Sequence, residues 1–117
     1  MAGMWLHADG VEVLADNRRE FKGAITTAIL AGLEEIGLKA EYYARGRVPV
    51  DTGRLKASIK HFVDSGDMGV ELGTDVSYAS FVELGTSKMR AQPYLRPAIQ
   101  EHTLEYRGIL EKHLKNA

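Results

Sequence analysis

Cysteine is absent from the sequence, which removes disulfides, thiolate nucleophiles and cysteine-ligated zinc together. Proline is scarce, with three residues in 117, so each one marks a boundary that the surrounding helical periodicity must respect. No apolar run approaches the roughly 18 residues needed to span a membrane. MAGMWLHADG lacks a basic start followed by an apolar segment, so no secretory leader is expected, and synthesis and work in the cytosol fit best. Histidine is limited to His7, His61, His102 and His113; none stands four residues from another and no HExxH occurs. No metal site is expected from them, and they read as surface or boundary positions.

A net charge of −1 gives no global argument for nucleic acid or membrane partners, but the charges are segregated. Lys39 to Lys60 holds six basic residues against two acidic ones. Residues 61 to 85 hold Asp64, Asp67, Glu71, Asp75 and Glu83 with no lysine or arginine, and Thr86 to Pro97 holds three basic residues and no acid. Segments of opposite sign in a near-neutral chain suit head-to-tail self-association or docking on a charged partner, and solvated faces produce them too.

What is present reads as one domain with a single core. Met4-Trp5-Leu6-His7, closed by Ala8-Asp9-Gly10, fits an edge strand. Asn17-Arg18-Arg19-Glu20 has the form of a capping box, and Gly10 to Leu14 offers an earlier start for the same helix. After it, Phe21, Ile25, Ala28, Ile29, Gly32, Ile36, Ala40 and Tyr43 recur at spacings of three and four, the apolar face of a long helix. Leu30 and Leu33 fall off that stripe and imply a second contact surface, in the same core or on a neighbouring subunit. Gly46 is expected to take a left-handed cap before Pro49.

A short helix over Gly53 to Ala57 follows, capped by Asp51 or Thr52. Ile59, His61 and Val63, then the turn Ser65-Gly66-Asp67, then Met68, Val70 and Leu72 make a hairpin over about 59–74. Ser77 to Leu84 fits a short helix with Tyr78, Phe81 and Val82 inward and Gly85 as terminator. Thr86 to Gln92 has no period and reads as an exposed, mobile basic loop. From Tyr94 a second long helix is expected, with Pro97 in its first turn and Leu95, Ile99, His102, Tyr106, Ile109, Leu110 and Leu114 on one face. The predicted fold class is α+β: long N-terminal and C-terminal helices packed on a small antiparallel sheet.

Asp51-Thr52-Gly53 is the triplet by which aspartic proteases present a carboxylate. Its flanks disagree, being a helix end and a proline instead of a buried strand, with Arg54 where a small residue is needed. A helix start explains the triplet better: Asp51 or Thr52 accepts unpaired N–H groups, Gly53 permits a tight backbone, Arg54 pairs with Asp51 and Leu55 points inward. No serine-nucleophile elbow, phosphate-binding glycine loop or other catalytic constellation is present. Glu34, Glu35, Asp64 and Asp67 read as solvated positions. Arg45, Arg47, Arg54, Lys56 and Lys60 with Tyr42 and Tyr43 form a candidate phosphate-contacting patch for non-specific contact with DNA.

Two segments together carry a resemblance. Pro49-Val50-Asp51-Thr52-Gly53-Arg54-Leu55-Lys56-Ala57-Ser58-Ile59 is followed, after the hairpin, by Tyr78-Ala79-Ser80-Phe81-Val82-Glu83-Leu84-Gly85-Thr86 and by Gln92-Pro93-Tyr94-Leu95-Arg96-Pro97-Ala98. This order resembles the tail-component family of lambda-like, long-tailed phages, also called tail-completion or head–tail joining proteins and including minor tail protein Z-like members. Tyr94 stands where that family usually has Phe, and Phe81-Val82 where an aromatic often directly precedes the Glu.

The resemblance implies a structural virion protein of a phage or prophage, assembled in the bacterial cytoplasm. It would act at the tail–head junction as a ring of its own copies against other tail or connector proteins. It implies no enzyme, cofactor, metal or small-molecule substrate. Pro49, Asp51, Thr52, Gly53, Arg54, Leu55, Ser58, Ile59, Tyr78, Ala79, Glu83, Gly85, Thr86, Pro93, Tyr94, Leu95, Arg96 and Pro97 are then structural motif positions. Glu83 is expected to pair with Arg54 or Arg96 and fix the following loop, with Lys88, Met89 and Arg90 facing a partner.

Overall fold

The computed structural model describes residues 3–9, 24–49 and 53–116. Along the chain run β1 (Met4–Asp9), α1 (Ala24–Arg47), α2 (Gly53–Ser58), β2 (Lys60–Asp64), β3 (Gly69–Thr74), α3 (Ala79–Leu84), α4 (Leu95–Gln100) and α5 (Thr103–Lys115). The fold is α+β, with five helices and a three-stranded antiparallel sheet of order β1-β3-β2. The earlier helix start at Gly10 to Leu14, the capping box at Asn17 to Glu20, Phe21 and the Asp51 or Thr52 cap with its Arg54 pair lie outside the described residues.

Alternation places Val70, Leu72 and Thr74 of β3 on the face turned to the helices, where all three are buried. Register puts Leu6 and His61 beside Leu72 on that same face. The opposite face carries Trp5 and Phe62, whose rings lie 5.5 Å apart. Ile29, Leu33, Ile36, Ala40 and Ala44 form the buried stripe of α1, with Leu30 half-buried beside them. The two residues thought to imply a second surface therefore join the main core, Leu33 at 1% exposure. No helix among the described residues is long and apolar enough to cross a membrane.

The C-terminal helix expected from Tyr94 is broken at Glu101 and His102 into α4 and α5. In an unbroken helix the Ala98 carbonyl would accept the His102 N–H; here it accepts the Tyr106 hydroxyl. His102 instead stacks on Tyr43 of α1, rings 3.6 Å apart and 3° from parallel. The break lets both segments wrap α1, and α5 is further tied to it by Glu35, which accepts from Lys112 at 3.2 Å and His113 at 2.9 Å.

Several positions differ from expectation. Gly46 is not left-handed, because α1 runs through it to Arg47. A side chain added at Gly53 would meet nothing within 4 Å, so space does not require glycine there. Phe81 is exposed, since Ala79, Val82 and Glu83 occupy the inner face of α3. His61 is enclosed, its side chain 7% exposed. Its ring packs against Gly37, where an added Cβ would come within 2.1 Å of it, and reaches Glu41 through Nδ1 and Glu34 through Nε2 at 2.9 Å. Glu34 is exposed as expected, its side chain at 56%, and Glu35 is half-buried; both also tie α1 to its neighbours.

Candidate functional site

Glu83 organises the second half of the motif. The residue is 2% exposed and its carboxylate caps the start of α4: Oε1 accepts the main-chain N–H of Tyr94 at 2.9 Å and of Leu95 at 2.8 Å. Oε2 accepts that of Arg96 at 3.0 Å. These donors have no partner within a helix's first turn, so a carboxylate supplied from α3 satisfies what a local cap otherwise would. The expected pairing of Glu83 with a guanidinium is thus replaced by main-chain donors, and no ion pair to Glu83 occurs among the described residues. Arg96 contributes its backbone, not its charge.

The loop between is tied at both ends. Gly85 donates to Phe81 O at 2.8 Å and has φ +78°, ψ 174°, a conformation that disfavours a side chain. A Cβ there would also stand 2.8 Å from Ala91 N. Thr86 N–H bonds Met89 O at 2.8 Å, while Thr86 Oγ1 accepts from Lys88 and Met89. Gln92 N–H returns to Val82 O at 2.8 Å. The segment expected to be mobile is exposed but internally bonded. Lys88 and Arg90 stand on it without a partner among the described residues, beside Met89 at 36% exposure. On α3, Phe81 and Leu84, three residues apart and so on one face, are 55% and 61% exposed.

Tyr94 joins this unit to the first half of the motif. It is fully buried, and its hydroxyl donates to Ala79 O at 3.1 Å. Burial, reinforced by the nearby Glu83 charge, pushes its phenol well above the ordinary range. Ala79 N–H bonds Val76 O at 3.1 Å, and Val76 N–H bonds Thr74 Oγ1 at 3.1 Å. Ser58 Oγ donates to Leu55 O at 2.7 Å, so the 2.5 Å contact with Thr74 is one in which Thr74 donates to Ser58. A hydrogen-bonded chain therefore runs from α2 through the end of β3 to α3 and α4. Leu55 and Ile59, both 0% exposed, anchor its first end. Thr74, buried at 0%, was not foreseen; its place at the end of an apolar strand, just before the second motif, is the only sequence signal for it.

The basic patch is only partly assembled. Tyr42, Tyr43, Arg45, Arg47 and Lys56, with His102, line an open groove of about 600 Å³ where α1 ends; Arg54 and Lys60 lie outside it. Arg45 bonds Glu41 at 2.9 Å and Ile59 O at 2.7 Å, and Arg47 pairs with Glu101. Lys56 has no partner among the described residues. Around Asp51 and Thr52, which are not themselves described, α1 precedes and α2 follows. Among the described residues, no strand leads into that segment.

No curated protein and no solved structure matches the chain. Residues 12–85, more than half of it, match a family model described as "Bacteriophage HK97-gp10, putative tail-component". That span takes in Leu55, Ser58 and the Tyr78 to Gly85 half of the hydrogen-bonded chain. The chain belongs to the HK97-gp10-like family of phage tail components.

Proposed function

We propose that the chain is a structural virion protein that completes the tail of a tailed phage or prophage and joins it to the head, assembling as a ring at the junction. The observation that carries this reading is the braced surface at α3 and its following loop. Phe81, Leu84 and Met89 present apolar area to solvent, Lys88 and Arg90 add charge beside it, and Glu83, Gly85 and Thr86 hold the backbone in one shape. Apolar exposure with a polar rim marks a protein-binding face, and a pre-shaped one loses little entropy on docking. The partner would be another tail or connector protein, and such work requires no cofactor, metal or small-molecule substrate.

Loose contact with DNA is the second reading, resting on the groove at the end of α1. Glu41 and Glu101 offset Arg45 and Arg47 there, which leaves Lys56 to meet phosphate and favours the assembly reading. Replacing both Lys88 and Arg90 by Glu tests the partner surface. The variant is expected to melt like the parent while few tails join heads; a normal yield of infectious particles would show that this loop is not the joint.

A further inference from the structure

The charge segregation of the sequence can be followed residue by residue. Of the five acids between residues 61 and 85, Glu83 is buried on main-chain donors and Glu71 meets His7 at 2.5 Å. Asp75 accepts from Trp5 Nε1 at 3.1 Å, and Asp64 Oδ1 accepts the N–H groups of Gly66 at 3.0 Å and Asp67 at 3.2 Å. One carboxylate is left without a partner among the described residues, that of Asp67, on an exposed turn whose neighbours Ser65 and Gly66 carry almost no side-chain bulk. The groove at the end of α1 shows the converse: its arginines are occupied and Lys56 is left over, beside a Tyr42 ring that is 71% exposed.

The two features cannot meet within one chain. Arg45 holds the Ile59 carbonyl, and the next inward residue, His61, reaches back to Glu41 and Glu34, so β2 runs antiparallel to α1. The groove sits where β2 begins and the turn where it ends. Five residues of strand at about 3.3 Å each separate them by roughly 16 Å. The Asp64 bonds and the positive φ of Met68, 54°, hold the turn in one form without its pair.

We infer that the Ser65–Asp67 turn of one copy seats in the Tyr42–Lys56 groove of the next, with Asp67 facing Lys56. A knob and a groove at opposite ends of one layer make a heterologous contact, which repeats head to tail and closes into a ring when the rotation allows. This deepens the assembly reading and rests on it.

The absence of cysteine makes the test clean. Purified full-length Ala57→Cys and Ser65→Cys proteins, which keep Lys56 and Asp67, are mixed and treated with a short bismaleimide, while sedimentation reports assembly of the parent. A heterodimer band is expected from the mixture, and a ladder of multimers from a chain carrying both cysteines. Lys56→Glu is expected to reduce association at least tenfold, and Asp67→Lys on a second chain to restore it. A parent that assembles without cross-linking overturns this contact alone, whereas a parent that stays monomeric at all concentrations overturns self-assembly with it. A duplex-DNA mobility shift that Lys56→Glu abolishes while association stays at the parent's level would assign the groove to nucleic acid and overturn the inference.

Discussion

Glu83 and Tyr94, eleven positions apart, meet through a carboxylate oxygen and a main-chain N–H at 2.9 Å, and the same carboxylate takes the next two N–H groups of α4. Glutamine in its place keeps one oxygen for Tyr94 and Leu95 but turns an NH₂ toward the Arg96 N–H. Leaving a buried donor unpaired costs about 1–3 kcal/mol. Glu83→Gln is therefore expected to lower stability by that amount in denaturant melts. A variant that unfolds at the parent's midpoint would contradict the cap.

Gly85 holds φ +78°, with Ala91 N only 2.8 Å from where its Cβ would be. Gly85→Ala is expected to cost about 1–3 kcal/mol through backbone strain, with added loss from the displaced loop. Hydrogen exchange at Gln92, whose N–H bonds Val82 O, reads the local effect: protection there is expected to fall more than in α1.

Tyr94 and Tyr106 are buried, and burial raises both phenols, most of all through lost hydration. A phenol whose folded pKa exceeds its unfolded value contributes stability that is fully present below about pH 10 and fades as pH rises toward the folded value. Thermal midpoints are expected to fall above about pH 10. The double change Tyr94→Phe with Tyr106→Phe is expected to flatten that fall, at a neutral-pH cost of about 0.5–1.5 kcal/mol for each lost hydrogen bond.

Gly37 lies under the His61 ring, with room for no methyl. In an exposed helix Gly→Ala gains about 1 kcal/mol. Here the crowding penalty of about 1–3 kcal/mol is joined by the loss of His61's bonds to Glu34 and Glu41, so Gly37→Ala is expected to be net destabilising. Chemical denaturation of the single variant decides the sign.

The long helix, the hairpin and the edge strand were legible because burial on one face imposes a period on the letters. The break at His102 was hidden by that same logic: Ile99, His102 and Tyr106 keep helical spacing across it, and what interrupts the ladder is a stack on Tyr43 and a hydroxyl on Ala98. Glu83 was marked by its motif, yet its partners are backbone N–H groups, which every residue but proline carries and no letter announces. Enclosure of His61 depends on a glycine 24 positions earlier, a coincidence visible only once β2 is laid on α1.

Electron microscopy of particles made without this protein tests the central claim most directly. A tail-completion and joining role predicts full heads and finished tails lying apart, with joining restored by adding the purified chain. Particles that are joined and infectious in its absence would contradict it.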